Sequence, residues 1–252
     1  MPEHEPWLTA LFNDYLAGVG NAILGLAGSA LALIGVHVEA AARPWSTSAS
    51  MEILVAVIIM ALFAILRPAL SVDRPGKLQH IFEVIYNFLH EQSEEHVGHH
   101  GPHYLALFGT LFLFILFANL LGVIPGFESP TMFPEVPLGL ALVAFAYYNA
   151  MGISSHGIGK YLAHFAGPMP ILAPLMIPIE LISHMARPLS LTIRLFANMY
   201  AGEQVTVVFL KLTLLLAPAL FMGLHVFVSF LQAYIFTLMT MMYVGGATAQ
   251  EH

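Results

Sequence analysis

The chain has 252 residues, of which 58% are hydrophobic and only 9% are Asp, Glu, Lys or Arg. A soluble domain is about a quarter charged, so this composition excludes a cytosolic globular protein, and its apolarity excludes a disordered chain. Eight basic residues against fifteen acidic ones leave a net charge of −7 and no cysteine, which excludes a basic nucleic-acid surface, disulfides and Cys-based metal sites.

What remains is an all-α polytopic membrane protein. Residues 1–50 form an N-terminal segment on the outer side or on the membrane surface. It opens with acidic residues (Glu3, Glu5) where a cleavable signal peptide would be basic. Within it, Leu16 to Val38 lack Asp, Glu, Lys and Arg but are rich in Ala and Gly. They read as a weak span or a helix lying on the surface, with the surface helix favoured.

Spans are predicted near 51–70, 104–124 and 136–155. Each is an apolar run of roughly 20 residues, the length that crosses a core of about 30 Å; the second and third are uncharged, and the first ends at Arg67-Pro68. Near 76–95, Leu78, Ile81, Phe82, Ile85, Phe88 and Leu89 recur at helical spacing, with Lys77, Glu83, Asn87 and Glu91 on other faces. That pattern predicts an amphipathic helix in the membrane interface. The stretches 168–211 and 212–248 are too long for one upright crossing each. From Leu212 to Gln250 there is no Asp, Glu, Lys or Arg. Each stretch must break, or the two must form a tilted antiparallel hairpin, with Pro218 and Gly223 as candidate turn residues.

Arg67, Arg74 and Lys77 follow the first span and Lys160 the third, so these loops are expected to be cytoplasmic. Five spans then place the N-terminus outside and the C-terminus in the cytoplasm. The histidines His90, His96, His99, His100 and His103 sit among Glu91, Glu94 and Glu95 and read as a solvated loop. No metal or cofactor site is expected.

The chemistry concentrates in the 168–211 stretch. An ionised group at membrane depth costs several kcal/mol and marks function by default. Arg67 and Arg187 each precede a proline and read as arginines at helix ends, snorkelling to the interface. Arg194 has apolar sequence on both sides. It keeps its proton, so it serves as a fixed positive charge and carries no proton itself. Ser190 and Asn198 lie one turn away on the same face. Glu180 and Glu203 are roughly 21 and 13 Å distant along a straight helix, too far to pair with it. Arg194 therefore needs water or a carboxylate from another subunit. The two glutamates flank it, one for each side of the membrane. His225 and Gln232 share a face of the last helix, and a hairpin would bring His225 toward Glu203.

These residues carry a resemblance. The run Arg187-Pro-Leu-Ser190-Leu-Thr-Ile-Arg194-Leu-Phe-Ala-Asn198-Met-Tyr-Ala-Gly-Glu203 closely resembles the signature of subunit a of F-type ATP synthases. Arg74-Pro-Gly-Lys77, Asn119-Leu-Leu-Gly-Val-Ile-Pro125-Gly, Leu231-Gln232-Ala-Tyr-Ile-Phe236 and the terminal Gln250-Glu251-His252 support it. The resemblance implies a proton-translocating stator subunit in a bacterial plasma membrane. It would lie against a ring of c subunits, with b-type peripheral stalk subunits and lipid as further neighbours, and would not be catalytic alone. It implies that Arg194 faces the ring carboxylates. Asn198, Glu203, Gln232 and His225 would belong to an outer half-channel, Glu180 to an inner one, and Ser183 and Ser190 would match family hydroxyl positions. Ala186 and the opening Pro134-Glu-Val-Pro137 depart from many relatives. The competing reading is a stand-alone ion-coupled transporter, which would need its own substrate site and usually a second, similar half.

Overall fold

The computed structural model describes residues 6–31, 41–71, 75–98, 101–124, 126–159, 161, 173–212 and 216–248. Arg74, Pro125, Lys160 and residues 249–252 lie outside the described residues, as do 32–38 of the N-terminal segment and 168–172 of the fourth stretch. Seven helices are described. They are α1 (Trp7–Leu31), α2 (Thr47–Ala69), α3 (Lys77–Val97), α4 (Leu105–Leu121), α5 (Glu135–His156), α6 (Ala173–Leu212) and α7 (Leu216–Thr248). Short 3-10 turns, Gly101–Tyr104 and Pro130–Met132, precede α4 and α5.

The apolar runs locate α2, α4 and α5 to within a few residues. Local chemistry sets their ends. Ser46 caps α2, its side chain accepting from the Ala49 amide at 3.2 Å and so satisfying one of the donors a helix start leaves over. Arg67 stands in the last turn of α2, as expected of an arginine at a helix end. Helix α5 ends at Gly157, whose φ of +77° suits glycine, and whose amide donates to the Ile153 carbonyl at 2.8 Å. Among the described residues, four helical stretches are long and apolar enough to cross a membrane, namely Thr47–Ala69, Gly101–Leu121, Glu135–His156 and Ala219–Thr248. Helix α6 is the fifth long element of the bundle and carries Glu180, Arg187, Arg194, Glu203 and Lys211.

Two expectations are corrected here. Pro218 and Gly223 do not make the turn between the last helices, because both lie inside α7. Pro218 sits in its first turn, where a missing amide hydrogen costs no intrahelical bond. Helix α6 ends at Leu212 and α7 begins at Leu216. Pro188 does not end a helix either. It lies, with Pro178, inside the 40 residues of α6, so Arg187 is a mid-helix residue.

Contacts sort the bundle into two ends. At one, the loop after α4 meets the starts of α2 and α5, and the far end of α6 packs on its 3-10 turn; we call this the loop end. At the other, α3 packs along α7. Phe88 meets Tyr234 at 5.3 Å, and Tyr234 donates to Gln92 at 3.0 Å. Gly245 of α7 lies so close to the His96 carbonyl that any side chain would collide with it. Helix α3 is therefore partly a packing helix. Leu89 is buried and Phe82, Ile85 and Phe88 lean on the core, while Leu78 and Ile81 stay exposed.

The core joins four helices. Phe108, Phe112 and Ile115 of α4, Ala144 and Tyr148 of α5, Leu195 and Met199 of α6, and Phe236 and Val244 of α7 are almost fully buried. Lipid is as apolar as these side chains, so close packing and hydrogen bonds hold the helices together rather than any aversion to the solvent. At 1.5 Å per residue, α6 measures about 60 Å and α7 about 50 Å. Helices of that length must tilt or bend to keep their apolar residues in a core of about 30 Å.

Candidate functional site

Helix α6 carries three kinds of face. Leu191, Leu195 and Met199, spaced by four, form its buried seam against α5 and α7. One residue back along each turn run Ser190, Arg194 and Asn198. Arg194 is half-buried, while Ser190 and Asn198 are exposed. The same open side presents Ser183, Ala186, Ala197 and Ala201, all small. Arg194 thus stands at the edge of a flat face that no described part of the chain covers. Among the described residues it makes no ion pair.

Glu203 follows Arg194 by nine residues, or two and a half turns, so it points to the other side of α6. There it meets the loop end. Gly202 lies against His225 of α7, and a Cβ at Gly202 would come within 3.3 Å of Nδ1. The hairpin therefore brings His225 beside the Glu203 turn, as the sequence predicts. They do not bond through their innermost atoms, since Glu203 Oε2 and His225 Nε2 are buried with no hydrogen-bond partner among the described residues. Glu128 of the loop is near enough to act on Glu203 electrostatically. Gln232 is buried two turns further along α7.

A polar knot fixes this loop. Asn119 is wholly buried at the end of α4 and accepts from the Thr131 hydroxyl, while its amide donates to the Ser229 carbonyl of α7 at 3.5 Å. Ser129 donates to the Ala118 carbonyl at 3.1 Å and lies 2.7 Å from the Thr131 hydroxyl. Gly122 gives Ser129 room, since a Cβ there would lie 2.8 Å from the serine side chain.

At the α3 end the charges are paired. Arg187 Nη2 lies 3.7 Å from Glu180 Oε1, and both side chains are about a third exposed. The two residues are seven apart and share a face. The Arg187 guanidinium also sits over the Tyr243 ring at 5.2 Å. Arg187 is thus a bridge between α6 and α7, not the interfacial snorkel its proline neighbour led us to expect. Sequence reasoning also missed His184. It is buried, with Nε2 2.9 Å from Asn149 Oδ1 of α5 and its ring 5.4 Å from that of Tyr148. Tyr161 donates to the same Asn149 oxygen at 2.8 Å. The Asn149 amide donates to the Phe145 carbonyl, which orients the oxygen toward both. The only available signal was a polar residue one turn from Glu180 on an apolar helix. The histidine-rich stretch is not a loop throughout: His90 and His96, with Glu91, Glu94 and Glu95, lie in α3, because its amphipathic pattern continues to Val97, His103 lies in the 3-10 turn before α4, and His99 and His100 lie outside the described residues.

Such a bundle, with charged groups retained inside its longest helix, defines a polytopic membrane protein built for moving ions rather than for anchoring. Residues 49–245 match the family described as ATP synthase A chain, and the chain belongs to that family. It is 69% identical over 242 residues to "ATP synthase subunit a" of Solibacter usitatus (strain Ellin6076), covering 96% of this chain and 100% of the relative. The protein of the same name from Koribacter versatilis (strain Ellin345) is 47% identical over 249 residues, 99% of each chain. That from Sulfurihydrogenibium sp. (strain YO3AOP1) is 41% identical over 205 residues, covering 80% of this chain and 97% of the relative. The chain is accordingly a proton-translocating stator component of the membrane sector in ATP synthesis. Membership leaves the stand-alone transporter without support.

Proposed function

We propose that the chain forms two half-channels against a ring of small, carboxylate-bearing c subunits, with Arg194 facing those carboxylates. The observation that carries this reading is the open face of α6. Arg194 is half-exposed there between small residues, and small residues let a neighbouring helix approach closely in a membrane. A charge that finds no partner among the described residues is costly at membrane depth, and a carboxylate from a docked subunit removes that cost.

Protons enter at the loop end past Glu203 and His225, with Asn198 and Gln232 lining the way, and neutralise a ring carboxylate. After the ring turns, the proton leaves at the α3 end through the polar region of Glu180, with the Ser183 and Ser190 hydroxyls along the open face. Arg194 favours the ionised form of each returning carboxylate by its opposite charge. It also blocks a direct path between the half-channels. The loop end faces outward and the C-terminus lies in the cytoplasm. The membrane is the bacterial plasma membrane, and b-type stalk subunits hold the stator in place. The chain performs no catalysis alone.

The test is Arg194→Ala in the whole complex reconstituted into vesicles. ATP-driven acidification is lost while ATP hydrolysis by the catalytic head continues. Normal coupled pumping by that variant would overturn the assignment.

A further inference from the structure

Helix α1 lies wholly outside the matched family region, which begins at residue 49, and it has two faces. On one, Asn13, Ala17, Gly20, Leu24 and Gly28 are buried or half-buried. That face is held by the segment 41–46. Asn13 exchanges two hydrogen bonds with the Trp45 backbone, at 3.0 and 3.1 Å. Asn21 does the same with Ala41, at 3.0 and 3.1 Å. Trp45 donates from Nε1 to the Leu16 carbonyl at 2.9 Å, at the point where Leu16 leaves helical geometry. Gly20 is required by the closeness, since a Cβ would lie 2.7 Å from the Pro44 ring.

On the other face, Trp7, Leu11, Tyr15, Val19, Ile23 and Leu26 recur at intervals of four and three, and all are exposed, Tyr15 at 81% and Leu26 at 74%. This apolar stripe runs about 28 Å. The single charged residue of α1, Asp14, is exposed at the stripe's border, two turns after Trp7. A stripe of this size is not left in water by a soluble surface.

The position of the helix identifies what covers it. Leu8 packs with Met51 and Val55 in the first turns of α2 and with Leu121 at the end of α4. Trp7 meets Phe127 of the loop at 5.8 Å. Ala41, which Asn21 holds, is five residues from the α2 cap Ser46, so it stays within roughly 17 Å of the end of a span. The stripe therefore continues the lipid-facing surface of α2, where Met60 and Ile65 are exposed, at the depth where Trp and Tyr favour the membrane boundary. We propose that α1 lies in the headgroup boundary at the loop end, its Trp7–Leu26 stripe turned into the acyl chains and the 41–46 strap on its other side. This rests on α2 and α4 crossing the bilayer and not on the role of Arg194.

The native chain has no cysteine, so spin labels at Tyr15→Cys, Leu26→Cys and Asp14→Cys report single sites. Asp14 is exposed at the border of the stripe, where its charge has to reach water. The labels are read in the assembled complex in liposomes, with ATP-driven pumping confirming assembly. At Tyr15 and Leu26, oxygen from the bilayer relaxes the label more than an aqueous nickel chelate does, and at Asp14 the order reverses. Nickel reaching Tyr15 and Leu26 would show a solvated helix and overturn the proposal. Labels at both sites that neither reagent reaches would show a protein neighbour and overturn it equally. If Arg194→Ala pumps normally while the stripe labels behave as expected, the channel reading fails and this one stands.

Discussion

The two ends of α6 treat ionisable groups in opposite ways. At the loop end, a carboxylate and an imidazole are brought to the same place with an inner atom of each left without a protein partner. At the α3 end, Glu180 is tied to Arg187, and the imidazole of His184 is tied to Asn149. Unsatisfied buried polar atoms are costly and recruit water where there is room. The loop end is therefore the place that water can complete, as the proposed proton entrance requires. The α3 end is arranged to hold α5, α6 and α7 in register around one acid.

This contrast is open to attack. The largest expected effect is at the loop end. Glu203→Gln lowers ATP-driven proton pumping by about a hundredfold, the usual loss when a proton-transfer group is removed, as read by acidification of vesicles. Unchanged pumping would make Glu203 a packing residue and erase the contrast. At the α3 end the effects fall first on stability. Gly245→Val drives a side chain into the His96 carbonyl and costs about 1–3 kcal/mol of packing, seen as a lower melting temperature in detergent. Arg187→Leu leaves Glu180 without its partner. A fully buried pair broken this way costs about 3–5 kcal/mol, but exposure of both side chains reduces this to about 1–2. The double variant Arg187→Leu with Glu180→Leu should recover much of that loss, and a melting series over the four combinations measures the coupling. The smallest effect is Asn149→Ala, about 1 kcal/mol for a lost hydrogen bond, with pumping reduced less than in Glu203→Gln.

Much of this was legible beforehand, and the reasons differ by region. Helices α2, α4 and α5 were readable because each is a long apolar run with its few charges near the ends, and a bilayer permits only a few lengths. Arg194 and the two glutamates were readable because charge is rare in this chain. The approach of His225 to the Glu203 turn followed from the hairpin. Three features were not readable. Pro218 looked like a turn but sits in the first turn of α7, where its missing amide hydrogen costs no bond, and Pro188 looked like a break, since proline ends helices in water, but neighbouring helices let a membrane helix run through it. Arg187 was misplaced for the same reason. The His184–Asn149 bond joins residues 35 positions apart, and no spacing rule connects them. Helix α1 was expected over Leu16–Val38 and starts nine residues earlier, at Trp7. Its first turns are held by α2 and the loop rather than by their own periodicity.

Asn119 has one more consequence. Loops in most proteins open locally at little cost, but here the loop cannot release Thr131 without uncovering a polar group between two spans. Ser129 and Thr131 are wholly buried. The amides of this turn should therefore resist hydrogen exchange as strongly as those of α4 and α7. The turn beside Glu203, the proposed proton entrance, therefore keeps one shape.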